Sequence, residues 1–100
     1  MTYRTAADYN SPQYRKWRLA VFKRDKFRCI ICHSTKHIQA HHLKLWAHYP
    51  ELRFDPKNGV TVCKIHHTQI TGNEEAYENM LRNLINKSNK HDINRMLEDM

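Results

Sequence analysis

The sequence predicts a small α+β domain built on a Cys3His zinc knuckle, with a helix before it and helices after it. Three observations point there. Cys29-x2-Cys32 and Cys63-x2-His66 form two matched pairs of soft ligands, separated by thirty residues. Two β-prone runs, about His37 to Leu43 and "VTVC", flank the turn chemistry of "DPKNG". Apolar residues at helical spacing occupy both ends of the chain.

Residues 1–10 show no periodicity and are expected to be loose, ahead of a domain spanning 11–72. In "NSPQYRKWRLAVFKRD", Ser11 suits an N-cap and Pro12 the first helical position. Tyr14, Trp17 and Val21 fall on one stripe at i, i+3, i+7, so Trp17 is expected as a core anchor rather than a base-stacking platform. "FRCIICHSTKHIQAHHL" reads as a loop with a Cys-x2-Cys turn and then a strand. "KLWAHYPELRFDPKNG" is a long connection, because Pro50 and Pro56 block regular structure. The helix after "VTVC" is expected from about Lys64 to Thr71, stopping at Gly72. Residues 73–100 form a helical extension. Tyr77, Met80, Leu81, Leu84 and Ile85 share one stripe, and Ile93, Met96, Leu97 and Met100 share another out of phase with it. The polar run "NKSNKHD" between them predicts two helices, with Asp92 as a cap.

The charge is uneven. Residues 1–72 carry a net +9 and residues 73–100 a net −2, and Arg15, Lys16, Arg18, Lys23, Arg24, Lys26 and Arg28 are opposed locally by Asp25 alone. A localised basic block with aromatics among it is either the footprint of a polyanion binder or a solvated helix face, and on the first reading these seven residues are the candidate nucleic-acid contacts. Lys44, Arg53 and Lys57 in the long connection are further candidates for contact with a nucleic-acid backbone. No apolar run approaches the roughly 20 residues that a membrane helix needs. The N-terminal stretch lacks the basic and apolar regions of a secretory signal. A cytoplasmic location is expected, and with it metal ligation rather than disulfides for an odd number of cysteines.

Two ligand constellations interleave. Cys29, Cys32, Cys63 and His66 match tetrahedral zinc, since two-residue gaps on tight turns bring ligands about 3.5–4 Å apart. His41, His42, Asn58 and His67 form the second set. Paired histidines with a distant third suggest a hydrolytic metal site with one histidine left as base. His33 and His37 flank the knuckle turn at the surface, and His48 and His91 are expected to be solvated.

The run "RCIICHSTKHIQAHHL…DPKNGVTVCKIHH" resembles the HNH endonuclease family, whose fold is a ββα-metal motif with a flanking zinc knuckle in many members. "SPQYRKWRLAVFKRD" and "HHLKLWAHYPELRFDPKNG" further resemble small phage-encoded members, and the resemblance covers roughly residues 11–72. It implies His42 as the general base that activates water, and His41 and His67 as ligands of a catalytic ion, Mg²⁺ or Mn²⁺. It implies Asn58 as the residue that steadies the histidine strand through hydrogen bonds. Some members carry another ligand four residues after the helix histidine, which is Thr71 here. Successive strand residues point to opposite faces, so His41 and His42 can serve one phosphate only where the strand ends or twists.

The resemblance implies a metal-dependent endonuclease or nickase that hydrolyses DNA phosphodiester bonds. The rival reading is a zinc-stabilised DNA-binding module without catalysis. DNA is the expected partner. A second copy docked through the C-terminal helices, or phage packaging proteins, are further partner classes, and a phage-encoded chain would work in the host cytoplasm.

Overall fold

The computed structural model describes the backbone of residues 6–98 and the side chains of residues 8–88. The elements run α1 (Ala6–Asn10), α2 (Pro12–Arg24), β1 (Ile38–His42), β2 (Gly59–Cys63), α3 (Lys64–Ile70) and α4 (Glu74–Glu98), with 3-10 turns at Pro50–Leu52 and Pro56–Asn58 between the strands.

Ser11 starts α2 as an N-cap. Its side chain accepts the Tyr14 N–H at 3.1 Å, and Pro12 takes the first turn, where its missing N–H costs nothing. Tyr14, Trp17 and Val21 are buried as one stripe, joined by Phe22. Part of the N-terminal stretch expected to be loose is helical: α1 covers Ala6–Asn10. The Ser11 hydroxyl donates back to the Asp8 carbonyl at 2.9 Å, and the Tyr9 ring meets Tyr14 edge-on at 5.3 Å. One serine thus closes the first helix and caps the second. Residues 1–5 lie outside the described residues.

β1 and β2 pair antiparallel, from Ile38 opposite Cys63 to His42 opposite Gly59. Alternation along the strands sorts residues to two faces. On the first face, Ala40 and His42 meet Tyr14, Trp17 and Trp46. On the second, Val60 and Val62 pack with Cys29, Ile30, Ile70, Leu81 and Ile85. The two-stranded sheet is therefore a layer between α2 on one side and α3 with α4 on the other.

The contact between α2 and β2 is close. A Cβ on Gly59 would lie 2.5 Å from Val21 Cγ2 and 2.6 Å from Trp17 Cζ2, so only glycine admits the helix at this distance. A polar clamp sits beside it. The buried Asp25 carboxylate accepts from Arg24 Nε and Nη2 at 2.9 and 2.8 Å and from the Thr61 N–H at 2.9 Å. Arg24 also donates to the carbonyls of Pro56 and Gly59 at 2.8 and 2.7 Å. Arg24, one of the seven residues expected to hold phosphate, thus has its guanidinium spent on fixing α2 to the sheet.

α4 departs from the expected pair of helices. It runs unbroken from Glu74 to Glu98, through the "NKSNKHD" segment, so Asp92 lies inside the helix and not at the start of a second one. Asn, Ser and Asp each cost only a few tenths of a kcal/mol in a helix interior relative to better helix formers, and no Gly or Pro interrupts the run. Tyr77, Leu81, Leu84 and Ile85 pack on the core as the stripe predicts, whereas Met80 is 42% exposed. The side chains of Ile93, Met96, Leu97 and Met100 lie outside the described residues. Glu78 pins α4 to the rest of the domain, meeting Lys44 Nζ at 3.2 Å and Arg82 Nε at 3.0 Å, while Arg82 donates to the Lys57 carbonyl at 3.0 Å. Among the described residues, no helix is long and apolar enough to cross a membrane.

Gly59→Ala should destabilise the fold by about 1–3 kcal/mol through overpacking, read as a lower midpoint in urea; an unchanged midpoint would show that α2 has room to move. Burial alone would raise the Glu78 pKa, but its bonds to Arg82 and Lys44 outweigh that and hold it below the ordinary carboxylate value. Its stabilisation is present above that ordinary value and lost as pH falls through the folded one. Glu78→Gln should therefore lower the melting temperature near neutral pH and converge with the native chain in acid. Equal melting temperatures at all pH values would remove the clasp from the account.

Candidate functional site

The knuckle is built where three chain segments meet. After α2, Lys26 and Phe27 take left-handed conformations (φ 60° and 57°) and send the chain into the Cys29–Cys32 turn. The His33 N–H donates to the Cys29 carbonyl at 2.9 Å, and His33 itself is left-handed at φ 65°. The Ile30 N–H bonds the Thr61 carbonyl at 2.9 Å, which docks the turn onto β2. Cys63 ends β2 and precedes α3, so His66 lies one turn along the helix.

These segments bring Cys29, Cys32, Cys63 and His66 together, with one ligand atom from each lying within 4.8 Å of the others. Cys32 Sγ is 3.8 Å from Cys63 Sγ, and His66 Nδ1 is 3.6 Å from Cys29 Sγ and 3.2 Å from Cys63 Sγ. Around tetrahedral zinc, with bonds of about 2.3 Å to sulfur and 2.0–2.1 Å to nitrogen, ligand atoms stand about 3.5–3.8 Å apart. The donor set and its spacing are therefore able to hold a structural zinc. The Cys63 thiol is lowered to about 7, first by the backbone N–H of His66 and, against the effect of burial, by the His66 side chain and the neighbouring thiols. Metal ligation needs that thiolate. At Cys32 the Ser34 N–H acts to lower the thiol, but desolvation and the other two cysteines prevail and raise it.

His67, the next residue, points elsewhere. A step of about 100° round the helix turns it from the thiols to β1, and its ring meets His41 edge to face with centroids 4.9 Å apart. His41 and His42 occupy the last two positions of β1 and face opposite ways. His42 lies against α2, its ring stacked on Trp17 at 3.9 Å with the planes 7° apart. Trp17 is the expected core anchor, and the stack gives it a second role that its helical spacing does not reveal. His42 Nε2 is 2.8 Å from the Arg53 carbonyl, an acceptor, so Nε2 carries the proton and Nδ1 is the basic nitrogen. His42 is 4% exposed, and Nδ1 is buried with it.

Asn58 sits behind this strand end, itself buried. Its side-chain oxygen accepts the Lys44 N–H at 2.8 Å, and its amide donates to the carbonyls of Lys44 and Leu52 at 3.1 and 3.3 Å. Its backbone carbonyl accepts the Leu43 N–H at 3.0 Å. One asparagine thereby closes the long connection onto the residues that follow His42. Because β1 ends there, a groove of about 1440 Å³ runs along its outer edge and is lined by both His41 and His42, with His67 at one wall and Arg18 at another.

The remaining predicted contacts scatter. Arg15, Lys16, Lys23 and Lys26 are exposed. Arg18 lies over the Phe22 ring at 4.6 Å, and Arg28 lines a smaller recess of about 480 Å³ beside the knuckle with Lys26 and Lys87. In the connection, Lys44 is bonded to Glu78, and Arg53 Nε donates to the Trp46 carbonyl at 2.7 Å. Thr71 is exposed, and its hydroxyl donates to the His67 carbonyl at 2.6 Å. Glu74 is the residue that sequence reasoning missed. Its carboxylate stands 3.8 Å from His41 Nε2, with both side chains about nine-tenths buried. The signal was an acidic residue just past the Gly72 stop, and the amphipathic pattern of α4 absorbed it. Comparison with protein-family models, curated proteins and solved structures found no match to this chain.

A closed Cys3His site contributes folding free energy directly. Cys63→Ser should lose its stoichiometric zinc, measured by metal analysis, and unfold or melt far below the native chain. A well-folded, zinc-free Cys63→Ser protein would remove the knuckle as a metal centre.

Proposed function

We propose that the chain is a metal-dependent DNA endonuclease or nickase of the HNH type, with β1, β2 and α3 as its ββα-metal unit. The observation that carries this reading is the convergence of His41, His42 and His67 on one groove, with Asn58 buried behind it, next to a Cys3His cluster. Two of the histidines face each other across the strand–helix contact, while the third is fixed in the tautomer of a base.

In this reading His42 takes the proton of the attacking water at Nδ1, which is buried here and has to open to the groove for that step. The Arg53 carbonyl holds the proton on Nε2, and Trp17 fixes the ring plane. A neutral imidazole is matched to that task near pH 7. Asn58 keeps the strand end in register with the connection, so that the base does not drift from the groove. His41 and His67 would hold a divalent ion, which would supply charge stabilisation at the phosphate and at the leaving 3′ oxygen. Arg18 in the groove, with exposed Arg15, Lys16 and Lys23 on the same helix, would neutralise DNA phosphates and make binding strongly salt-dependent. None of these basic residues identifies a base-reading element, so sequence preference should be modest.

The burial of His42 favours one alternative, a zinc-stabilised DNA-binding module in which the His42–Trp17 stack is only core. Plasmid nicking with added Mg²⁺ or Mn²⁺ separates the two. His42→Ala should bind DNA but nick about 10²-fold or more slowly. Undiminished nicking by a folded His42→Ala protein would exclude His42 as the base, and no nicking by either protein would leave the binding module. His67→Ala should lose activity before stability and His66→Ala stability before activity; the reverse order would exchange their roles.

A further inference from the structure

Glu74 lies in the first turn of α4, and the turn ahead of it is built to aim its carboxylate. α3 ends at Ile70, and Gly72 follows at φ +86°, a conformation that side chains disfavour. The Gly72 N–H points at Glu74, 2.6 Å from Oε1 and 3.1 Å from Oε2. The carboxylate is thereby held within 3.8 Å of His41 Nε2, and the His41 ring is in turn edge to face with His67. A nitrogen-to-oxygen separation of 3.8 Å is too long for a hydrogen bond. It is close to the roughly 3.0–3.4 Å between neighbouring ligands on one ion with bonds of about 2.0–2.1 Å.

Charge argues the same way. Residues 1–72 carry a net +9, which repels a cation from the His41–His67 pair. Two other carboxylates line the groove. Glu75 is exposed, and Glu78 is committed to Lys44 and Arg82. Glu74 is buried beside the imidazole it faces.

We infer that Glu74 is the third protein ligand of the groove's cation, forming a two-histidine, one-carboxylate site with His41 and His67 that prefers a transition-metal ion such as Mn²⁺ to Mg²⁺. This rests on the reading of His41 and His67 as ion ligands. The imidazoles give the site its preference, because nitrogen donors favour later first-row ions while Mg²⁺ is suited to oxygen. The carboxylate supplies the negative charge and the third point that fixes the ion over one face, leaving other positions for water and phosphate. Thr71, one helical turn after His67, directs its hydroxyl into the helix at the His67 carbonyl and is not that ligand.

The test is Mn²⁺ binding to the zinc-loaded protein, followed by electron paramagnetic resonance with no DNA present. The native chain should bind one Mn²⁺, and a large excess of Mg²⁺ should displace it only weakly. Glu74→Gln should bind at least about tenfold more weakly, with zinc content and circular dichroism unchanged, while Glu75→Gln binds as native. Equal Mn²⁺ affinity in native and Glu74→Gln proteins would overturn the assignment, as would ready exchange for Mg²⁺. If Glu74→Gln does not fold, titration of the native protein with diamagnetic Cd²⁺ decides: the ¹³C signal of the Glu74 carboxylate should shift at the same Cd²⁺ concentration as the His41 and His67 rings, and an unmoved carboxylate would overturn it. Nicking is scored separately. Glu74-dependent Mn²⁺ binding without nicking would sink the nuclease reading and leave this site standing. Nicking by Glu74→Gln at the native rate in Mn²⁺ would do the opposite.

Discussion

The register between the two strands is the constraint on which the rest depends. Pairing Ile38 with Cys63 and His42 with Gly59 places the knuckle at one end of the sheet and the paired histidines at the other. α3 begins directly after Cys63 and spans part of that distance. His41 is three residues along β1 from Ile38, about 10 Å at strand rise. His67 is four residues beyond Cys63, about 6 Å at helical rise, and the two rings bridge the remainder. A shift of one residue would turn His41 away from α3 and bring His42 toward it. Gly59 and the Arg24–Asp25 clamp hold that register from the α2 side, the first by admitting Trp17 and Val21, the second by binding the Thr61 N–H. The zinc cluster and the groove are thus two ends of one short sheet, fixed by the same pairing.

Much of this was legible because the relevant patterns are local. Ser11 and Pro12 announce α2, two-residue gaps announce the Cys3His cluster, and the two-residue gap from Cys63 is enough to separate His66 from His67. The difficulty that neighbouring strand residues face apart was also legible; β1 ends at His42, and both histidines line one groove. What escaped was decided by tertiary contacts. Nothing in "FKRDK" tells that Arg24 will turn inward to the Asp25, Pro56 and Gly59 acceptors while its neighbours stay exposed. Polar residues resemble a break in "NKSNKHD", yet their helix penalties are too small to stop a helix already nucleated by packing. Glu74 escaped because the turn at Gly72, rather than any spacing, aims it at His41.

Stability and function draw on the same residues. Trp17 is the centre of the α2 packing and also the plate against which His42 lies. Asn58 satisfies the backbone of a long connection and so fixes the strand end beside the groove. Of the basic block, part is structural and part is free: Arg24 holds the helix to the sheet, Arg18 lines the groove, and Arg15, Lys16 and Lys23 remain open to a polyanion. A charge count over residues 15–28 therefore overstates the surface available to a polyanion, although the sign of the potential is unaffected.

The chemistry of the broken ends tests most directly the proposed hydrolysis, in which the base activates water and the 3′ oxygen departs. Supercoiled plasmid nicked by the native protein in Mn²⁺ can be treated with DNA ligase alone. Departure of the 3′ oxygen leaves 5′-phosphate and 3′-hydroxyl ends, so the nicks should seal without kinase or phosphatase, and none should form in excess chelator. Nicks that ligase cannot seal, or nicks that form equally well without metal, would contradict it.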